Sequence, residues 1–204
     1  MMMIEAIDAV LTANDPDGGP GYQGEFTLAG RLSSRGGMAV AGLDGAEFYT
    51  FSVIADGLHD VYLAYDWDDE RGATVTAVAL VAGGTTPQAL VDASWDEASD
   101  DVNMLSEDAS AIYSSTPDNL AIGRALHQTA GFTDADSPEA HAVAQFAAQQ
   151  ESGSRTPVID VVVDPVGGAN ALVFPTCDFT SNSILVGRDE HGTGVGIFWS
   201  NFDG

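Results

Sequence analysis

The chain has 204 residues, 45% hydrophobic and 18% charged, a balance that excludes the low-hydrophobicity, high-charge composition of disordered chains and leaves material for a substantial core. Its 31 acidic residues face six basic ones, Arg31, Arg35, Arg71, Arg124, Arg155 and Arg188, for a net charge of −25. That balance argues against direct nucleic-acid binding, which needs cations to replace phosphate counterions, and against anionic membranes.

Taken in chain order, Ile4, Ile7, Val10 and Leu11 have the spacing of a short amphipathic helix from Ile4 to Ala13, with a short strand as the competing reading. Asn14 to Gly24 is a loop dense in Asp, Gly and Pro. Glu25 to Leu32 alternates as a first strand. Met38 to Ala82 then reads as a β-meander punctuated by Asp44-Gly45 and Asp56-Gly57, because Asp-Gly between apolar runs tolerates the positive φ of a hairpin turn. Within it, Tyr49, Phe51 and Val53 oppose Phe48, Thr50 and Ile54. Likewise His59, Val61, Leu63, Tyr65 and Trp67 oppose Leu58, Asp60, Tyr62 and Asp66. Both faces are partly apolar, so the sheet must be covered on both sides by a second sheet, helices or another subunit.

Ala73 to Ala82 closes the meander, and Gly83-Gly84 ends it. Thr86-Pro87 reads as an N-cap followed by Pro at the first helical position, predicting a helix from Pro87 to Ala93. Residues 94 to 115 are acidic and irregular, and are expected to be a surface loop or short helical turns. Thr116-Pro117-Asp118 and Ser137-Pro138-Glu139 open two Ala-rich helices, to about Ala130 and to Glu151. The chain then returns to β at Val158 to Val163, Ala171 to Phe174, Ile184 to Val186 and Val195 to Trp199. The expected fold is mainly β (α+β): an antiparallel meander forming a sandwich or barrel-like sheet. It is one domain over residues 1 to 204, with a helical insertion near 86 to 152, and the C-terminal strands complete the sheet that the meander begins.

Lysine is absent, which removes the P-loop, Schiff-base and kinase-type lysine mechanisms. The glycine-rich Gly192-Thr193-Gly194-Val195-Gly196 enters a strand rather than a helix and is read as a turn. The acidic run Asp66, Asp68, Asp69, Glu70 imitates the start of an EF-hand. It has Arg71 where the loop requires glycine and Ala77 where it requires glutamate, so it is read as a solvated turn, with a looser cation site as the sharper alternative. Among His59, His127, His141 and His191 there is no paired metal spacing. His191, beside Asp189 and Glu190, is the best single candidate for a ligand or general base, whereas His59 reads as a hydrogen-bonded sheet residue. The lone Cys177 rules out an internal disulfide and a multi-Cys zinc site, and without a basic neighbour it reads as an inert thiol. No catalytic, cofactor-binding or metal-ligating residue is assigned.

The string Gly57-Leu58-His59-Asp60-Val61-Tyr62-Leu63 resembles one strand of the jelly-roll carbohydrate-binding modules. It covers seven residues of 204, and the Asn-Leu-Asp-Trp-like strand that follows in those modules is missing. The resemblance implies that Tyr65 and Trp67 would stack on sugar; packing in a core or interface is the other reading of aromatics at strand spacing.

A net charge of −25 on so small a body repels itself in dilute buffer, and molar salt relieves it by shortening the Debye length to about 3 Å. With no run of 18 apolar residues, and an opening MMMIEAIDAVL that lacks a basic n-region, the chain is expected to be soluble and not exported by a signal peptide. The function expected is a non-catalytic structural subunit of a large assembly adapted to high salt, most concretely a virion tail or capsid-associated protein. Its partners would be copies of itself and other subunits of the particle, with cations in acidic loops. The alternatives are a halophilic cytosolic enzyme using carboxylate acid/base chemistry, and a carbohydrate- or receptor-binding β-sandwich. The charge itself makes a prediction: the thermal midpoint, followed by circular dichroism, rises between about 0.1 M and about 3 M salt, and a midpoint that falls over this range contradicts the halophile reading.

Overall fold

The computed structural model describes residues 1–15, 22–34, 38–42, 48–51, 54–68, 72–97, 110–114, 148, 158–164, 169–174 and 182–201. Among the described residues the protein is mainly β, built on an open six-stranded antiparallel sheet with the two short helices α1 (Met3–Asn14) and α2 (Pro87–Asp92). In chain order the elements are α1 (Met3–Asn14), β1 (Glu25–Ser34), β2 (Met38–Gly42), β3 (Phe48–Phe51), β4 (Gly57–Asp68), β5 (Gly72–Val81) and α2 (Pro87–Asp92). There follow β6 (Ser94–Glu97), β7 (Ser110–Ser114), β8 (Ile159–Asp164), β9 (Ala169–Phe174), β10 (Asn182–Arg188) and β11 (Gly194–Asn201). The first sheet runs β1-β4-β5-β11-β10-β6 and a second runs β3-β2-β7-β9-β8. Of the four C-terminal strands expected to complete the first sheet, β10 and β11 do so, with Ile197 of β11 opposite Leu80 of β5, whereas β8 and β9 lie in the second sheet.

Two expectations are corrected. The run from Met38 to Ala82 is not one meander, because β2 and β3 pair in the second sheet while β4 and β5 pair in the first. The strands on either side of Asp44-Gly45 do pair, but Asp56-Gly57 is a crossing between sheets: Ile54 plugs the core, and Gly57 enters β4 at φ 151°, a backbone angle that favours glycine. Residues 94 to 115 are not simply loop or helical turns, since they contain β6 in the first sheet and β7 in the second. The anchor of β6 is Trp95, whose indole N–H donates to the Leu90 carbonyl at 2.9 Å and whose ring lies 4.4 Å from that of Phe198. Gly187 leaves the space for this ring, since a Cβ there would come within 2.7 Å of it. The expected helices at 117–130 and 138–151 lie outside the described residues, apart from Ala148, which is helical and exposed.

Alternation along β4 and β5 sends apolar side chains to both faces of the first sheet, which is why both are covered. One face, with Leu32, Val61, Leu63, Val78, Leu80, Ile197 and Trp199, packs with Leu172 and Phe174 of β9. The other, with Ala64, Ala77, Ala79 and Phe198, receives Ala6, Ile7, Val10 and Leu11 of α1 and Leu90 of α2. Helix α1 therefore forms with Ile7, Val10 and Leu11 of the predicted stripe inward, while Ile4 of that stripe is exposed and Ala6 is buried in its place, and Glu5 accepts a hydrogen bond from the Met2 N–H at 2.7 Å. The loop before β1 is tied down at its end: Tyr22 donates to Asp8 at 2.6 Å and stacks edge-on with Phe26.

A side chain of the second sheet hydrogen-bonds the backbone of the edge strand β1. The carboxamide of Asn170 on β9 accepts from the Ser33 N–H at 2.9 Å, and donates to the Arg31 carbonyl at 2.7 Å and to Asp160 at 2.8 Å. It thus does for the β1 edge what a neighbouring strand would do. We expect Asn170→Ala to lower stability by about 1–3 kcal/mol in urea unfolding. Asn170→Asp, which loses both donors beside Asp160, should cost more at low salt than at high salt.

Candidate functional site

At one end of the first sheet, the entry to β4, the exit of β5, the start of α2 and the β10–β11 turn converge on an open cleft of about 640 Å³. Its polar wall comes from Asp56, His59, Thr85, Thr86, Asp189 and Thr193. Three separate turns meet here because antiparallel strands β4, β5, β10 and β11 all begin or end at this side of the sheet.

Each turn is held by its own chemistry. Leaving β5, the chain turns through Gly83 and Gly84, the latter at φ 84°, and a Cβ on Gly83 would lie 2.2 Å from the Leu58 carbonyl oxygen. Glycine is therefore required by close approach at Gly83 and by backbone angle at Gly84. Thr86 then caps α2, its hydroxyl accepting from the Ala89 N–H at 3.2 Å, with Pro87 at the first helical position as the sequence predicts. In the β10–β11 turn, the Asp189 carboxylate accepts from the Thr193 N–H at 2.8 Å and the His191 N–H at 2.9 Å, while Gly192 adopts φ 81°. Those donors, first that of Thr193, hold the Asp189 carboxyl below its ordinary value of 3.8.

His59 is the buried member of the site, 3% exposed. Its Nδ1 accepts from the Gly83 N–H at 3.1 Å, while Nε2 is buried without a hydrogen bond of good geometry. Burial pushes the imidazole below its ordinary 6.5, outweighing the Ala55 backbone, Asp56 and Asp60, which favour the charged ring. The cleft therefore presents carboxylates, hydroxyls and a neutral imidazole, with no arginine among its described lining residues. It can accept hydrogen bonds and attract a cation. Its Asp189 is shifted opposite to what a general acid requires.

The sequence singled out His191, and the structure places it at the tip of the β10–β11 turn, with its side chain 78% exposed and 3.6 Å from Glu190. It does not line the cleft. His59 is the hydrogen-bonded sheet residue that the sequence suggests. Asp66 is exposed on β4, whereas Asp69 and Glu70 lie outside the described residues. Among the described residues no three His, Cys, Asp or Glu are grouped to hold a metal. Tyr65 is half-buried against the core between the sheets, and Trp67 is paired with Ala73 in the register of β4 and β5. His127, His141 and Cys177 lie outside the described residues. The Gly192–Gly196 segment is the expected turn and strand entry, with Val195 as an extra residue in β11.

Comparison of the chain with protein families, with curated proteins and with solved structures finds no match.

The Asp189 turn can be tested directly. A depressed carboxyl stabilises the fold above its ordinary value of 3.8 and loses that contribution as pH falls below it. Asp189→Ala should speed hydrogen exchange at the His191 and Thr193 amides near neutral pH, whereas the wild type should show the same loosening only in acid.

Proposed function

We propose that the protein is a non-catalytic structural subunit of a large assembly adapted to high salt, most concretely a virion tail or capsid-associated component, acting through contacts with copies of itself and with other subunits. The observation that carries this reading is that the exposed large apolar side chains fall on one side of the molecule. Among the described residues the exposed large hydrophobic side chains are Met1, Met2, Ile4, Leu28, Leu58 and Val91. Met1, Met2 and Ile4 belong to α1 and its start, and Val91 to α2. By strand alternation Leu28 and Leu58 share the face of Phe26 and Tyr62, which α1 covers. All six therefore lie on the helix-bearing side, where a contact between subunits would cover them.

The charge explains why such a surface would work in salt. Bringing together copies that each carry −25 is strongly opposed in dilute buffer, and molar salt screens that repulsion. Many copies could then pack in a repeating particle. Addition at the sheet edges fits less well: β6 is four residues long and carries Asp96 and Glu97, and β1 is occupied by Asn170.

A second reading is a sugar- or receptor-binding sandwich. Leu172 and Phe174 of the second sheet share a core with the first, as the layers of a sandwich would. The half-burial of Tyr65 counts against the sugar-stacking surface that this reading needs.

Sedimentation of the native material distinguishes these readings. A particle in the megadalton range at about 3 M salt that dissociates near 0.1 M supports the subunit reading, and a monomer at both salts removes it. Ile4→Glu with Val91→Glu, both at exposed positions, should leave the unfolding midpoint nearly unchanged and abolish the large species.

A further inference from the structure

The contact between His59 and Gly83 joins two parts of the cleft that are far apart in sequence. A ring nitrogen that accepts a hydrogen bond carries no proton, so the Gly83 N–H at 3.1 Å requires a neutral imidazole with its hydrogen on Nε2. The residue is almost fully enclosed, and Nε2 has no acceptor of good geometry. Adding a proton would turn Nδ1 into a donor facing another donor and place a charge where little water reaches it. The bond and the charged ring are incompatible.

We propose that His59 is a proton-operated latch on the cleft: neutral, it holds the Gly83–Gly84 turn closed against the start of β4, and protonated, it releases that turn. The turn is built to be held from a few points. Gly83 is pressed against the Leu58 carbonyl, the Thr85 N–H donates to the Ala82 carbonyl at 3.0 Å, and the Ala82 N–H donates to the Val195 carbonyl at 2.9 Å. Its glycines supply the freedom to move once the ring lets go. Because Thr85 and Thr86 follow directly, release also loosens the cap of α2 and widens the cleft that these residues line.

The charges around the ring set the direction of the switch. Asp56, in the entry to β4, and Asp60, which directly follows His59 in that strand, favour the protonated state, and Asp60 is shared with Arg31 of β1 at 2.9 Å. Asp189 stands on the cleft wall contributed by the β10–β11 turn. Leu32, opposite His59 on β1, and Gly83 bring no charge. Burial outweighs the carboxylates and holds the folded ring below its ordinary 6.5, so the unfolded chain binds the proton more readily. Stability from the neutral ring is therefore complete above about 6.5 and declines as pH falls below it.

Amide hydrogen exchange of the full chain in high salt tests the latch. Between about pH 7.5 and about pH 5, where most carboxylates stay ionised, the Gly83 amide should lose about tenfold or more of its protection after correction for intrinsic rates. His59→Asn places an acceptor that cannot titrate near the position of Nδ1, and its Gly83 protection should be flat over the same range. Equal protection of wild-type Gly83 at both pH values, or an equal loss in His59→Asn, overturns the proposal. If His59→Asn does not fold, the wild type decides by NMR: the His59 ring and the Gly83 amide must titrate with one midpoint, and a ring that titrates while Gly83 stays fixed overturns the latch.

Discussion

The structure depends on a sheet whose central strands are apolar on both faces. In β5, Val78 and Leu80 point to one side and Ala77, Ala79 and Val81 to the other, all of them buried. Burying a large aliphatic side chain contributes about 1.5–3 kcal/mol, so neither face can be left to water. The two faces differ in size, and that selects their covers. Alanines let α1 approach the backbone closely, whereas the valines, leucines and Trp199 of the opposite face meet Leu172 and Phe174 of the second sheet.

Local irregularities make this double covering work. Extra residues at Ala29 in β1, Thr76 in β5 and Val195 in β11 each shift the alternation by one position, so that a strand changes which residues it presents to which cover. At Thr76 the buried hydroxyl lies 2.5 Å from the Gln23 carbonyl, which fastens the segment before β1 to the middle of the sheet. By contrast the exposed Arg31–Asp60 pair, at 2.9 Å, contributes little, as surface ion pairs do.

The polar chemistry is concentrated where strands end. Turns cannot satisfy their backbone groups from a ladder, so Asp189, Thr86 and His59 supply partners from side chains. His59 differs from the other two because it is enclosed, and a group that supplies a hydrogen bond only in its neutral form makes the turn sensitive to protons. In the proposed subunit reading, the exposed apolar side chains on the helix-bearing side and the strongly acidic composition would act at a different scale, on encounters between molecules rather than within one.

Much of the strand content was legible from sequence, since β1, β4, β5, β10 and β11 alternate or run apolar between turn residues. The capped start of α2 was equally legible from Thr86-Pro87, and the buried stripe of α1 from Ile7, Val10 and Leu11. These signals are local: side-chain period, caps and turn chemistry act within a few residues. Sheet membership was not legible, because Asp56-Gly57 serves a crossing between sheets as well as it serves a hairpin. Nor was β6, whose acidic Ser-Trp-Asp-Glu run becomes a strand only because Gly187 leaves room for Trp95. The cleft is of the same kind: its walls come from residues near 56, 83 and 189, and only the packing of the sheet brings them together. Composition and local pattern determined most of the segments that form strands and helices, while long-range packing decided which strands pair and made strands of β6 and β7, because pairing depends on surfaces distant in sequence that no local period records.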